Sequence, residues 1–114
     1  PPPAVEEVVR RLQRLHYLDD RRFAYTTAEQ ALRHGRGSEY VRARLAADAV
    51  ADTLIDEAIG ATFGDETAHA RRVLARRYPV ESRRPGEGAK AARFLARRGF
   101  PDAVVLAILD EGCY

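Results

Sequence analysis

The sequence predicts an all-α fold built from two copies of a three-helix unit. Apolar residues recur at steps of three and four along the whole chain, while the strict alternation that marks strands is scarce. Glycine and proline punctuate these runs at their ends. The halves also echo each other at a fixed offset: Leu45 and Ala46 match Leu95 and Ala96, Val50 matches Phe100, Asp52 matches Asp102, and Leu54, Ile55 and Ile59 match Val104, Val105 and Leu109.

Taken in order, Val5, Val8, Val9, Leu12 and Leu15 predict a first helix over 4–16, entered after Pro3, since proline is tolerated at a helix start. Asp19 and Asp20 supply a capping carboxylate for a second helix that runs to His34, buries part of Phe23, Ala24, Thr27, Ala28, Ala31 and Leu32, and stops at Gly35-Arg36-Gly37. Ser38 caps a third helix through Val41 and Leu45. Leu54, Ile55, Ala58 and Ile59 mark a fourth, with Asp52, Asp56 and Glu57 on its polar side. Residues 60–64 form a connection that holds Phe63 as an inward anchor. Asp65 caps a fifth helix that buries Ala70, Val73, Leu74 and Tyr78 and ends at Pro79. Residues 79–88 form a loop. A sixth helix buries Ala91, Phe94 and Leu95 and closes at Gly99. A seventh starts at Pro101-Asp102, buries Val104, Val105, Ile108 and Leu109, and ends at Gly112. The units are then 19–62 and 63–114, with 1–18 as the last helix of a preceding, truncated unit. A three-helix unit of this size cannot bury both faces alone, so adjacent copies should stack.

Composition limits the function. The chain has 114 residues, 46% hydrophobic and 32% charged, which suits one compact domain or a short repeat array. No run approaches the ~18 apolar residues of a membrane span. The opening Pro1-Pro2-Pro3 is not a signal peptide; it lacks an initiator Met, as the interior of a longer chain would. Cys113 is the only cysteine, so no internal disulfide and no CxxC pair exists, which fits a reducing cytoplasm. No GxxxxGK[ST], GxGxxG or GxSxG motif occurs. His16, His34 and His69 lie far apart and are expected at helix ends or on the surface. No cofactor, metal or catalytic residue is expected.

Net charge is +2, unevenly spread. Residues 67–98 carry +8, whereas 1–66 and 99–114 each carry −3. Eighteen of the nineteen basic residues are Arg, whose fork matches phosphates and carboxylates. Lys90, Arg93 and Arg97 share one helix face with Arg98 beside them, and Arg72 and Arg76 share another, flanked by Arg71 and Arg77. These eight residues are the candidate contacts for a polyanion or an acidic partner.

Two segments resemble signatures of a known family. Leu15-His16-Tyr17-Leu18-Asp19-Asp20-Arg21-Arg22-Phe23-Ala24 is similar to the L-x-Y-L-D-D-x-x-F-A signature of the RecX family, and Phe94-Leu95-Ala96-Arg97-Arg98-Gly99-Phe100 to its later F-L-x-R-R-G-F signature. The stretch from Val41 to Ile59 resembles the family's middle repeat. The resemblance implies tandem three-helix repeats in a curved, elongated array. It implies a monomeric cytoplasmic regulator that binds RecA and its filament on single-stranded DNA, with at most weak direct DNA binding. Inhibition of ATP hydrolysis, strand exchange and coprotease activity would follow, with effects on recombination, DNA repair and the SOS response. The chain departs from the family where a Lys-Gly pair is usual: Asp48-Ala49 stands there, so this turn must avoid a left-handed residue or strain Ala49.

Two rival readings make different predictions. A stand-alone nucleic-acid-binding helical module would bind DNA without RecA, and binding would weaken steeply with salt. An enzyme using Asp19 and Asp20 would need metal and would fail with either residue changed to Asn; a helix cap explains both residues without it.

Overall fold

The computed structural model describes residues 2–79, 84 and 86–111; the predicted helix end at Gly112 and the thiol of Cys113 lie outside them, as does half of the predicted loop. The described residues form six helices and no strand: α1 (Pro2–Arg33), α2 (Ser38–Ala47), α3 (Asp52–Phe63), α4 (Glu66–Arg77), α5 (Gly88–Arg97) and α6 (Asp102–Leu109). The body is elongated, 73 × 19 × 18 Å.

The expected break between residues 16 and 19 does not occur. α1 runs unbroken for 32 residues through Asp19 and Asp20. No Gly or Pro stands between His16 and Phe23, and Asp inside a helix costs only about 0.7 kcal/mol relative to Ala, too little to stop it. Asp20 instead lies 3.5 Å from His16, one turn back, and Asp19 is exposed. At the other end, α3 continues through Gly60 to Phe63, where a connection was expected; the residue that leaves the helix is Gly64, with φ +52°.

Two apolar cores result. Ala24, Ala28 and Ala31 of α1 pack with Val41 and Leu45 of α2, Val50, and Leu54, Ile55, Ala58 and Phe63 of α3. Small residues on α1 let the other two helices approach closely. Ala70 and Leu74 of α4 pack with Ala91 and Leu95 of α5, Phe100, and Val104, Val105 and Ile108 of α6. Phe63 is buried as expected; Val73, Tyr78, Phe94 and Leu109 are only partly so. Asp65 caps α4 by accepting a hydrogen bond from the Ala68 amide at 3.1 Å. On the first core's surface, Arg21 of α1 donates to Glu57 of α3 at 3.1 Å, and that bond with its charge raises the guanidinium pKa further.

The fifty-residue offset extends to the backbone. In one turn the amides of Asp48, Ala49 and Val50 donate to the carbonyls of Leu45, Ala46 and Leu45; in the other, Arg98, Gly99 and Phe100 donate to Leu95, Ala96 and Leu95. The following helices open alike: Leu54 and Ile55 donate to Ala51, Val104 and Val105 to Pro101. Both middle turn residues have positive φ, +58° at Ala49 and +90° at Gly99, so Ala49 adopts the strained left-handed conformation.

The first half of α1 has no core of its own. Val5, Val8, Val9, Leu12 and Leu15 form one stripe and are each 47–63% exposed.

Candidate functional site

The two cores meet at a junction built from helix ends. α5 ends in carbonyls and α2 begins in amides that their own helices leave unpaired. Here they pair with each other: the Gly37 amide donates to the Arg98 carbonyl at 2.9 Å and the Glu39 amide to Gly99 at 2.8 Å. Ser38 was expected to cap α2, but it is the first helical residue, and Gly37 stands at the cap position without a side chain. The capping group comes from the other half of the chain. Glu66 of α4 accepts from the Ser38 amide at 2.6 Å and from its hydroxyl at 2.8 Å, placing a carboxylate at the positive end of α2.

His69 corrects a second expectation. It is 4% exposed, not a surface residue; His16 and His34 are exposed. Its ring lies between Phe63 of the first core and Phe100 of the second, with centroids 5.6 and 5.3 Å away. Its Nε2 lies 3.0 Å from the Arg36 carbonyl, which can only accept, so Nε2 carries the proton. No group of three or more His, Cys, Asp or Glu side chains that could hold a metal occurs among the described residues.

The structure gives the eight predicted contacts different surroundings. Arg71 is turned to Glu111, with which it pairs. Arg72, Arg93 and Arg97 are exposed. The other four gather where α4 ends beside α5. Tyr78 and Phe94 meet edge to face at 5.6 Å. Arg77 and Lys90 both lie over the Tyr78 ring, at 4.8 and 5.3 Å, and Arg98 lies over Phe94 at 5.5 Å. Arg98 also reaches across the junction to donate to the His34 carbonyl at 3.3 Å. Arg76, Arg77 and Arg98 then line a cleft with Arg33 and His34 from the end of α1, over Gly35, Val73 and Phe94. Arg33 and His34 escaped sequence reasoning because they lie outside the basic block, in a segment of net negative charge. Only the fold brings them to it.

No family model matches the chain. It is similar to several regulatory proteins: 38% identical over 96% of its length to the "Regulatory protein RecX" of Deinococcus radiodurans, of which it covers 53%, and 40% identical over 71% of its length to that of Chromohalobacter salexigens, again 53%. The protein of the same name from Xanthomonas axonopodis pv. citri is 34% identical over 87% of the chain. The chain belongs to the RecX family. It spans about half the length of the first two relatives. Both signature segments of the family are structurally placed: Leu15 to Ala24 is a continuous stretch of α1, and Phe94 to Phe100 forms the end of α5 and the turn against α2. No described helix is long and apolar enough to cross a membrane.

Proposed function

We propose that this chain acts by binding, as part of a cytoplasmic regulator that engages RecA and its filament on single-stranded DNA. It would inhibit ATP hydrolysis, strand exchange and coprotease activity there, modulating recombination, repair and the SOS response, as a monomer without a cofactor. The observation that carries this reading is 38% identity over nearly the whole chain to a regulatory RecX protein. The geometry is compatible with it: the body is 73 Å long, and the cationic side chains of α4 and α5 stand at its surface. The exposed apolar stripe of α1 supports the reading of residues 1–18 as the last helix of a preceding three-helix unit. At the fifty-residue offset Val5, Val8 and Val9 fall in register with Ile55, Ala58 and Ile59 and with Val105, Ile108 and Leu109.

The test is RecA ATP hydrolysis on single-stranded DNA, titrated with this chain. Inhibition is expected at less than one chain per RecA. Reversing the exposed pair, Arg93→Glu with Arg97→Glu, should weaken it at least tenfold while leaving helicity intact. Unchanged inhibition by that variant would remove the basic face as the contact, and no inhibition by the parent chain would overturn the reading for these 114 residues.

A further inference from the structure

α1 presents a surface of different composition from the basic face of α4 and α5. At 3.6 residues per turn, Arg10, Arg14, Tyr17, Leu18, Arg21 and Tyr25 fall within an arc of about 100°. The apolar stripe from Val5 to Leu15 is centred about 170° away, on the opposite side of the helix. A preceding three-helix unit seated on that stripe would leave this face open.

The face is organised before any partner arrives. Tyr25 packs against the first core, and the Arg21 guanidinium lies over its ring at 5.0 Å. Arg21 also donates to Glu57 of α3 at 3.1 Å, which fixes the outer end of its side chain. Glu57 first, then Tyr25 and Tyr17, raise the pKa of that guanidinium, so all three surround it. Beside this cluster Tyr17 and Leu18 are 50% and 47% exposed. Neither belongs to a core, whereas Ala24 lies in the first core and Phe23 of the same signature segment packs against it. Arg10 and Arg14 are exposed and form no ion pair among the described residues.

An apolar centre with a tyrosine, rimmed by arginine, is the composition of a protein–protein contact, where Tyr and Arg side chains often carry most of the binding energy. Holding Arg21 and Tyr25 in place lowers the ordering cost of binding. The unpaired arginines select an acidic partner. A nucleic-acid backbone fits this face poorly, because the Glu57 carboxylate stands beside Arg21 and repels phosphate, and Leu18 gives a base no ring to stack on.

We propose that this face of α1 is a docking surface for an acidic patch on a folded protein, with Tyr17 and Leu18 as its apolar centre and Arg10 and Arg14 as its charged rim. It rests on the regulatory reading above, on which that protein is RecA.

Binding of the full chain to purified RecA without DNA is measured by interferometry at two salt concentrations, and inhibition of RecA ATP hydrolysis on single-stranded DNA is followed beside it. Tyr17→Ala with Leu18→Ala removes the apolar centre; Val8→Ala with Leu15→Ala is the control on the opposite stripe. All four side chains are exposed and alanine favours the helix, so circular dichroism should show unchanged helicity in both variants. The face variant is expected to weaken RecA binding at least tenfold and the control less than threefold. Arg10→Glu with Arg14→Glu should weaken it at least tenfold at low salt and less at high salt, where exposed charges are screened. Equal losses from the two alanine variants overturn the proposal and leave the regulatory reading standing if the parent chain inhibits. Binding that depends on Tyr17 and Leu18, without inhibition by the parent chain, upholds the surface and overturns the regulatory reading. No binding of the parent chain to RecA overturns both. A face variant that loses affinity for an oligothymidylate as fully as for RecA assigns the face to nucleic acid and also overturns the proposal.

Discussion

The turns at residues 48–50 and 98–100 share one hydrogen-bond pattern, yet they do different work. In the first, Ala49 is exposed and its amide bonds only to Ala46 of its own unit. In the second, Gly99 abuts α2: a Cβ built on it would lie 2.6 Å from Tyr40 Cβ and 2.8 Å from the Tyr40 amide nitrogen. Gly37, on the opposing side, is as tightly placed: a Cβ built on it would lie 2.5 Å from the Gly99 carbonyl oxygen. One turn ends a helix. Its counterpart ends a helix and also joins two cores through their backbones. A repeated local structure therefore acquires a junction role only where glycines permit backbone approach.

The largest expected effect breaks that difference. Gly37→Ala places a methyl group against backbone that cannot move aside without losing the Gly37–Arg98 and Glu39–Gly99 hydrogen bonds. Destabilisation of about 3 kcal/mol is expected, at the upper end for overpacking. Denaturant titration followed by circular dichroism measures it. The transition should also broaden, because cores that no longer share a junction unfold separately. A change under about 0.5 kcal/mol, the range of ordinary surface substitutions, would show that the close approach is unimportant.

Glu66 tests the same junction without steric insult. Glu66→Ala leaves the Ser38 amide and hydroxyl without their acceptor at a partly buried site, and removes the negative charge from the start of α2. A loss of about 2 kcal/mol is expected. Glu39→Ala, an exposed acid in the same first turn, should cost only about 0.5 kcal/mol. Equal losses would mean that the dipole alone accounts for Glu66 and that the bridge between cores contributes nothing.

The all-helical fold and most of the two cores were legible because helix–core packing is written in apolar spacing. Leu45, Leu54, Ile55, Leu74, Leu95 and Ile108 lie where the periodicity puts them. One boundary failed because it was judged from Gly60, which α3 runs through; two others failed because they were judged from side-chain chemistry alone. Asp19 and Asp20 have the chemistry of a cap but no chain break beside them, and Ser38 lies one residue inside the helix it was expected to cap. The junction was not legible at all. Glu66 and Ser38 are 28 residues apart, and His69 and Arg36 are 33 apart. No local pattern announces a partner at that distance. The candidate site was half visible: charge clustering pointed to Arg76, Arg77 and Arg98, while Arg33 and His34 required the fold to bring α1 beside α4.

The smallest expected effect sharpens the comparison between the two turns. If Ala49 holds φ +58° only because the repeated turn geometry demands it, then Ala49→Gly relieves strain without altering any contact. A non-glycine residue in the left-handed region costs about 1–2 kcal/mol. Glycine in turn adds about 0.4–1 kcal/mol of unfolded-chain entropy that folding must overcome. The difference leaves a net stabilisation of about 0.5–1 kcal/mol, a rare case in which introducing glycine strengthens a helical protein. At Gly99 the reverse change, Gly99→Ala, carries both the strain and the clash with Tyr40, so its cost should exceed the Ala49→Gly gain severalfold. Measuring both by denaturant titration separates conformational strain, common to the two turns, from close approach, which belongs only to the second. If Ala49→Gly is neutral or destabilising, strain at this turn is already relieved by its neighbours, and the preference for glycine at position 99 rests on the junction alone.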